Sequence, residues 1–120
     1  MDMVRFDTNP LTSVHWIAIA LAALSGAIHL LLGVIVPALA LRASFLVAGV
    51  GFFVGIGLVL AEYRRPLVYL LGIPFTAGQI VLWYVIVGPT LGTVGVLDAV
   101  DKLAQVVLVA LLVVLYTRGR

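Results

Sequence analysis

Charged residues stand in only five places along the chain: positions 2–7, 42, 62–65, 98–102 and 118–120. Four uncharged stretches separate them, and each is dense in Leu, Val, Ile, Ala and Gly. A helix needs about 20 mostly apolar residues to cross the hydrocarbon core of a bilayer. The stretches predict four such helices, at about Thr12–Val36, Ala43–Ala61, Leu67–Val87 and Asp98–Thr117. Asn9-Pro10 is a start signal for the first, since proline is tolerated in a first turn. Pro37 marks its far end, and Arg42 precedes the second helix. Glu62-Tyr63-Arg64-Arg65-Pro66 reads as a tight, solvated turn. Gly88-Pro89 ends the third helix, and Gly88–Leu97 is the only connection long enough to count as a loop. The fourth helix has a short uncharged run, Leu103–Thr117, so its first turn has to carry Asp98, Asp101 and Lys102 into the interface.

The expected fold class is all-α, a four-transmembrane-helix bundle forming a single membrane domain over residues 1–120. Composition strengthens this reading. Hydrophobic residues make up 64% of the 120 residues and charged ones 10%. Soluble domains carry about 45–50% apolar and about 25% charged residues. The net charge is +2 with no basic patch, which argues against a nucleic-acid partner. The chain has no cysteine, so thiol chemistry and disulfides are excluded. The mixed-charge start, Met1–Asn9, and the length of the apolar run after it point to a mature span rather than a cleaved signal peptide.

Orientation follows from the basic residues. An even number of spans puts Arg5, Arg64, Arg65, Arg118 and Arg120 on one side, and Arg42 and Lys102 on the other. Basic residues in short loops favour the cytoplasm, so both termini are expected there. Trp16, Tyr63, Tyr69 and Tyr116 then fall near the inner interface and Trp83-Tyr84 near the outer one, levels that suit amphipathic rings. The location implied is the cell membrane, crossed several times.

Association of helices in lipid rests on close backbone approach and polar pairing, because lipid is as apolar as leucine. Ala18, Ala22 and Gly26 repeat at four-residue spacing in the first helix. Gly49, Gly51, Gly55 and Gly57 crowd the second, including Gly51-x-x-x-Gly55. Such residues serve packing of the first helix on the second, with a homo-oligomer face as the alternative. Gly49-Val-Gly51 has no strand before it and is no nucleotide loop. Pro74 cannot donate to the Leu70 carbonyl, which predicts a kink in the third helix.

Polar groups at membrane depth are where chemistry could reside. At about 1.5 Å rise per residue, His29, Gln79 and Gln105 all lie about 10–12 Å below the outer helix ends. Asp101 is one turn above Gln105, Asp98 and Lys102 flank it, and Ser25 is one turn below His29. His29, Gln79, Asp101 and Gln105 therefore make a candidate polar cluster in the outer half. As a site, it would offer His29 as proton acceptor or ligand and Asp101 as its carboxylate partner, with the glutamines as hydrogen-bonders. As interhelical glue, each pair would contribute about 0.6 kcal/mol on average. Asp98 suits a helix N-terminus. His15 beside Trp16 reads as an interfacial residue. It is also 14 residues from His29, a spacing similar to haem-ligand pairs in membrane cytochromes b, although two histidines could complete such sites only in a homodimer. No catalytic set, metal site or cofactor is called for.

Several stretches carry a family resemblance: His15-Trp16, Ser25-Gly26-Ala27-Ile28-His29-Leu30, Arg64-Arg65-Pro66-Leu67-Val68-Tyr69, Gly72-Ile73-Pro74-Phe75-Thr76, Gln79-Ile80-Val81-Leu82-Trp83-Tyr84 and Asp101-Lys102-Leu103-Ala104-Gln105. Together they resemble a group of small uncharacterised four-helix membrane proteins of halophilic archaea. The resemblance implies the four-helix fold and a plasma-membrane location. It transfers no activity and no site residue. The functions in play are a non-enzymatic accessory or structural subunit beside another membrane protein, a small oligomeric transporter or channel built on the polar cluster, and, more remotely, the haem-binding homodimer.

Overall fold

A computed structural model describes residues 11–36, 39–87 and 95–118. Arg5, Asn9-Pro10, Pro37, most of the Gly88–Leu97 loop and Arg120 lie outside the described residues. Four helices account for 91% of the described residues, with no strand among them. They are α1 (Ser13–Ile35), α2 (Leu39–Leu60), α3 (Arg65–Val87) and α4 (Val96–Thr117). All four are long and apolar enough to cross a membrane.

The helix bounds differ from the sequence expectation mainly at three starts, with α3 beginning at Arg65 instead of the expected Leu67. α2 begins at Leu39, so Arg42 lies in its first turn instead of ahead of it. The reason is a second use for Arg42: its Nε donates to the Gly33 carbonyl at 3.3 Å, in the last turn of α1. A cation there suits the partial negative charge of a helix C-terminus. α4 begins at Val96, with Asp98 in its first turn, where a carboxylate suits the opposite pole.

The turn between α2 and α3 is four residues long, Ala61–Arg64. Tyr63 N–H donates to the Leu58 carbonyl at 2.9 Å and Glu62 N–H to the Val59 carbonyl at 3.2 Å. Glu62, at φ 56°, takes the left-handed position that this pair of bonds requires, the place where glycine is commonest. Arg65 departs from the expected solvated turn. It is buried, and its Nε donates to the Val59 carbonyl at 2.8 Å, satisfying the end of α2 a second time.

α1 packs on α2 and on α4, and α3 packs on α4, while α2 and α3 touch only sparsely despite their short turn. Small residues explain the closest of these contacts. A Cβ added at Gly49 would stand 2.7 Å from Leu30 and 3.0 Å from the Gly26 carbonyl oxygen, and one at Gly26 would stand 3.1 Å from the Phe52 Cβ. Ala18 is buried in the core and Ala22 packs against it. Gly51 and Gly55 do not share the α1 interface. Two positions on from Gly49, Gly51 points about 200° away and meets Phe75 of α3. Gly55 faces open space. α3 continues through Pro74 as a helix.

The apolar core lies toward the end of the bundle that carries the α2–α3 turn, where Ala18, Phe52, Val59, Tyr69, Leu108 and Leu115 meet. Phe52 also stacks edge-on against Phe75, with ring centroids 5.1 Å apart. The rest of α2 and α3 is widely exposed and apolar, including Val47, Val50, Leu71, Val81 and Leu82. That composition suits hydrocarbon outside as well as inside.

The close α1–α2 approach gives a direct test. Gly49→Leu is expected to separate the two helices and destabilise the bundle by about 1–3 kcal/mol, the usual cost of overpacking. Gly57→Leu, at a position with nothing within 4 Å, is expected to be neutral or slightly stabilising. Thermal unfolding in detergent, followed by circular dichroism, separates the two, and equal midpoints would contradict the contact.

Candidate polar site within the bundle

Ser25 of α1 is the centre of the polar cluster. It is fully buried, and its hydroxyl donates to Asp101 Oδ1 at 2.5 Å while accepting from Gln105 Nε2 at 3.2 Å. Both partners come from α4, so one hydroxyl joins two helices. The other carboxylate oxygen, Asp101 Oδ2, accepts from Lys102 Nζ at 2.7 Å. The same ammonium donates to Gln105 Oε1 at 3.1 Å. Gln105 passes the chain on to α3 by donating to Gln79 Oε1 at 2.9 Å, and Gln79 Nε2 donates back to the Phe75 carbonyl at 3.0 Å.

His29 sits one helical turn above Ser25. Its Nδ1–H donates to the Ser25 carbonyl at 2.7 Å, which fixes that nitrogen as protonated. Asp101 Oδ1 is 3.7 Å from the same nitrogen. Phe45 and Phe52 of α2 pack against the ring, at centroid distances of 5.8 and 5.7 Å. His29, Gln79, Asp101 and Gln105 occur together, with His29 joined to the glutamines through Ser25 and Asp101. Two groups were less visible in the sequence. Ser25 appeared only as a neighbour of His29, and Lys102 as a flanking charge, although they supply the bonds at both carboxylate oxygens.

Geometry limits what the cluster can do. Ser25, Asp101 and Gln105 are each 2% exposed or less. Both carboxylate oxygens, the serine hydroxyl and both ends of both side-chain amides are occupied by one another or by backbone. Moving a lone carboxylate out of water costs several kcal/mol, which a close cation and a full set of hydrogen bonds can offset. Asp101 has both. Lys102 lies at the edge of the cluster, its side chain 13% exposed, with the ammonium 5.7 Å from the centre of the Trp83 ring. Its stem can follow the apolar helix surface while the charge stays near the interface.

His15 lies far from this cluster, at the opposite end of α1. It is buried, and its Nδ1 accepts from the Thr12 backbone N–H at 2.9 Å, tying down the first turn of its own helix. Its ring also meets Tyr69 at 6.4 Å between centroids. A haem shared between two copies would need outward-facing imidazoles, and both histidines are turned into the protomer. Among the described residues no group of three or more His, Asp or Glu could hold a metal ion.

The described residues form an all-α bundle of four helices, each long and apolar enough to cross a membrane, with polar bonds joining three of them. The chain belongs to a family of unknown function, DUF7475, which it matches over residues 2–116. No curated protein and no solved structure matches it.

The network should behave as coupled glue. Ser25→Ala leaves an Asp101 oxygen and a Gln105 N–H without their partner, and is expected to cost about 1–2 kcal/mol, the upper range for polar pairs in membrane helices. Asp101→Leu strands the Lys102 ammonium and is expected to cost more, about 3 kcal/mol. Gln79→Leu is expected to cost least, about 0.6 kcal/mol. Unfolding midpoints in detergent rank the three, and a reversed order would contradict the central place of Ser25 and Asp101.

Proposed function

We propose that this chain is a multi-pass membrane protein without catalytic activity of its own, an accessory or structural subunit that packs beside another membrane protein. The observation that carries the reading is the closure of the polar network. Both Asp101 oxygens, the Ser25 hydroxyl and the oxygen and nitrogen of each glutamine amide are used within the bundle, which suits a latch between α1, α3 and α4 better than a reaction centre. The broad apolar faces of α2 and α3 supply surface for lipid or for a partner helix. Both termini lie on the cytoplasmic side in this reading, following the basic residues at Arg5, Arg64, Arg65, Arg118 and Arg120. The resemblance to small membrane proteins of halophilic archaea supports an archaeal cell membrane as the location.

A second reading, a small oligomeric transporter or channel, draws on one observation. Asp101, itself buried, pairs with the half-buried Lys102 inside a span, and ionisable groups at that depth often mark a pathway. Its predicted signature is transport in proteoliposomes that falls in His29→Ala and Gln79→Ala.

The accessory reading predicts that mild extraction from native membranes, followed by affinity capture, recovers this chain with the same companion protein each time. Repeated recovery of the chain alone would contradict it. Flux that depends on His29 and Gln79 would replace it with the second reading.

A further inference from the structure

Where α2 and α3 touch only sparsely, the bundle has a cleft of about 390 Å³. It runs along the half of the molecule nearest the α2–α3 turn, about 13 Å from Leu67 to Thr76 along α3. Its walls are almost wholly hydrocarbon, with α1 and α4 behind and α2 and α3 at the sides. Glycine keeps it open. Gly51, Gly55 and Gly72 all line it, and a Cβ at Gly55 would meet nothing within 4 Å.

The cleft differs from an ordinary exposed helix face in its charged mouth. Arg64 lines it, is exposed, and lays its guanidinium over the Tyr63 ring at 5.6 Å. Arg64 is held there in left-handed backbone, φ 49°, which residues other than glycine rarely adopt. At the deep end Thr76 is fully buried, and its hydroxyl has no hydrogen-bond partner among the described residues. The volume lies within the roughly 300–1,000 Å³ of sites that enclose a small ligand.

We propose that this cleft binds one hydrocarbon chain of an acidic phospholipid, with the lipid phosphate on Arg64. A gap of this kind, set within apolar spans, would otherwise forfeit the dispersion contacts of its walls. A lipid chain restores those contacts without needing polar partners in the cleft. The cation at the mouth selects an anionic headgroup over a zwitterionic one, and the guanidinium matches phosphate geometry. The bound lipid would supplement the sparse α2–α3 contact. The inference is independent of the accessory-subunit reading, because it concerns the opposite half of the bundle from the polar network.

Native mass spectrometry of the full chain in detergent, with dioleoylphosphatidylglycerol or dioleoylphosphatidylcholine added, tests it. The expected result is one retained lipid per chain, with phosphatidylglycerol favoured about fivefold, the effect of one basic side chain at a membrane surface. Arg64→Gln is expected to remove that preference. Gly55→Leu is expected to fill the cleft and abolish retention, while Gly57→Leu, which does not line it, keeps retention intact. Should Gly55→Leu fail to fold, the Arg64→Gln comparison still decides. Retention that ignores both Gly55 and Arg64 would overturn the proposal. So would retention lost in Thr76→Val but unchanged in Arg64→Gln, which would mean an occupant entering polar end first. A dimer that Gly55→Leu converts to monomer would overturn it too, in favour of a second copy of the chain.

Discussion

The bond from Ser25 to Asp101 is the interaction on which the bundle depends most. A carboxylate inside apolar spans is tolerable only if its charge is met and its lone pairs are filled. Lys102 meets the charge from the next position on α4, and Ser25 fills the remaining oxygen from α1. Because the donor comes from another helix, satisfying the carboxylate also fixes α1 against α4. Gln105 then extends the same condition to α3 through Gln79. Hydrocarbon provides no competing hydrogen bonds, so these polar side chains must find one another.

The two halves of the molecule solve different problems. Toward the start of α4, polar bonds hold three helices, and α2 joins through the Phe45 and Phe52 rings against His29. Toward the α2–α3 turn there is an apolar core instead, with Tyr69 and Leu115 at its centre. The short turn restrains α2 and α3 covalently there, and Arg65 closes the end of α2. With the chain connection and the contacts through α1 and α4 in place, direct packing between α2 and α3 can be sparse. The cleft is the consequence of that arrangement.

Much of the architecture was legible in the sequence because the bilayer imposes a simple rule. Uncharged runs of span length between isolated charges can do little else, and four helices follow. The level of the polar residues was legible for the same reason, since rise per residue converts position into depth. Facing is harder to read. Gly51 and Gly55 look like a packing motif, yet Gly49 makes the α1 contact while Gly51 meets α3 and Gly55 meets nothing. A spacing of four fixes that two glycines share a face without saying which neighbour that face meets. Arg65 looked solvated beside Arg64, because a guanidinium folded back onto a helix terminus leaves no mark in composition. Arg42 likewise lies inside the first turn of α2 and not ahead of it, with the Gly33 carbonyl receiving its guanidinium.

The most direct measurement of the central claim is a double-mutant cycle between Ser25 and Asp101, using Ser25→Ala, Asp101→Asn and both together, with reversible unfolding followed in a lipid environment. A coupling free energy of about 1 kcal/mol or more is expected, within the range found for strong polar pairs between membrane helices. Strict additivity of the two substitutions would contradict it, since each residue would then hold its helix without the other.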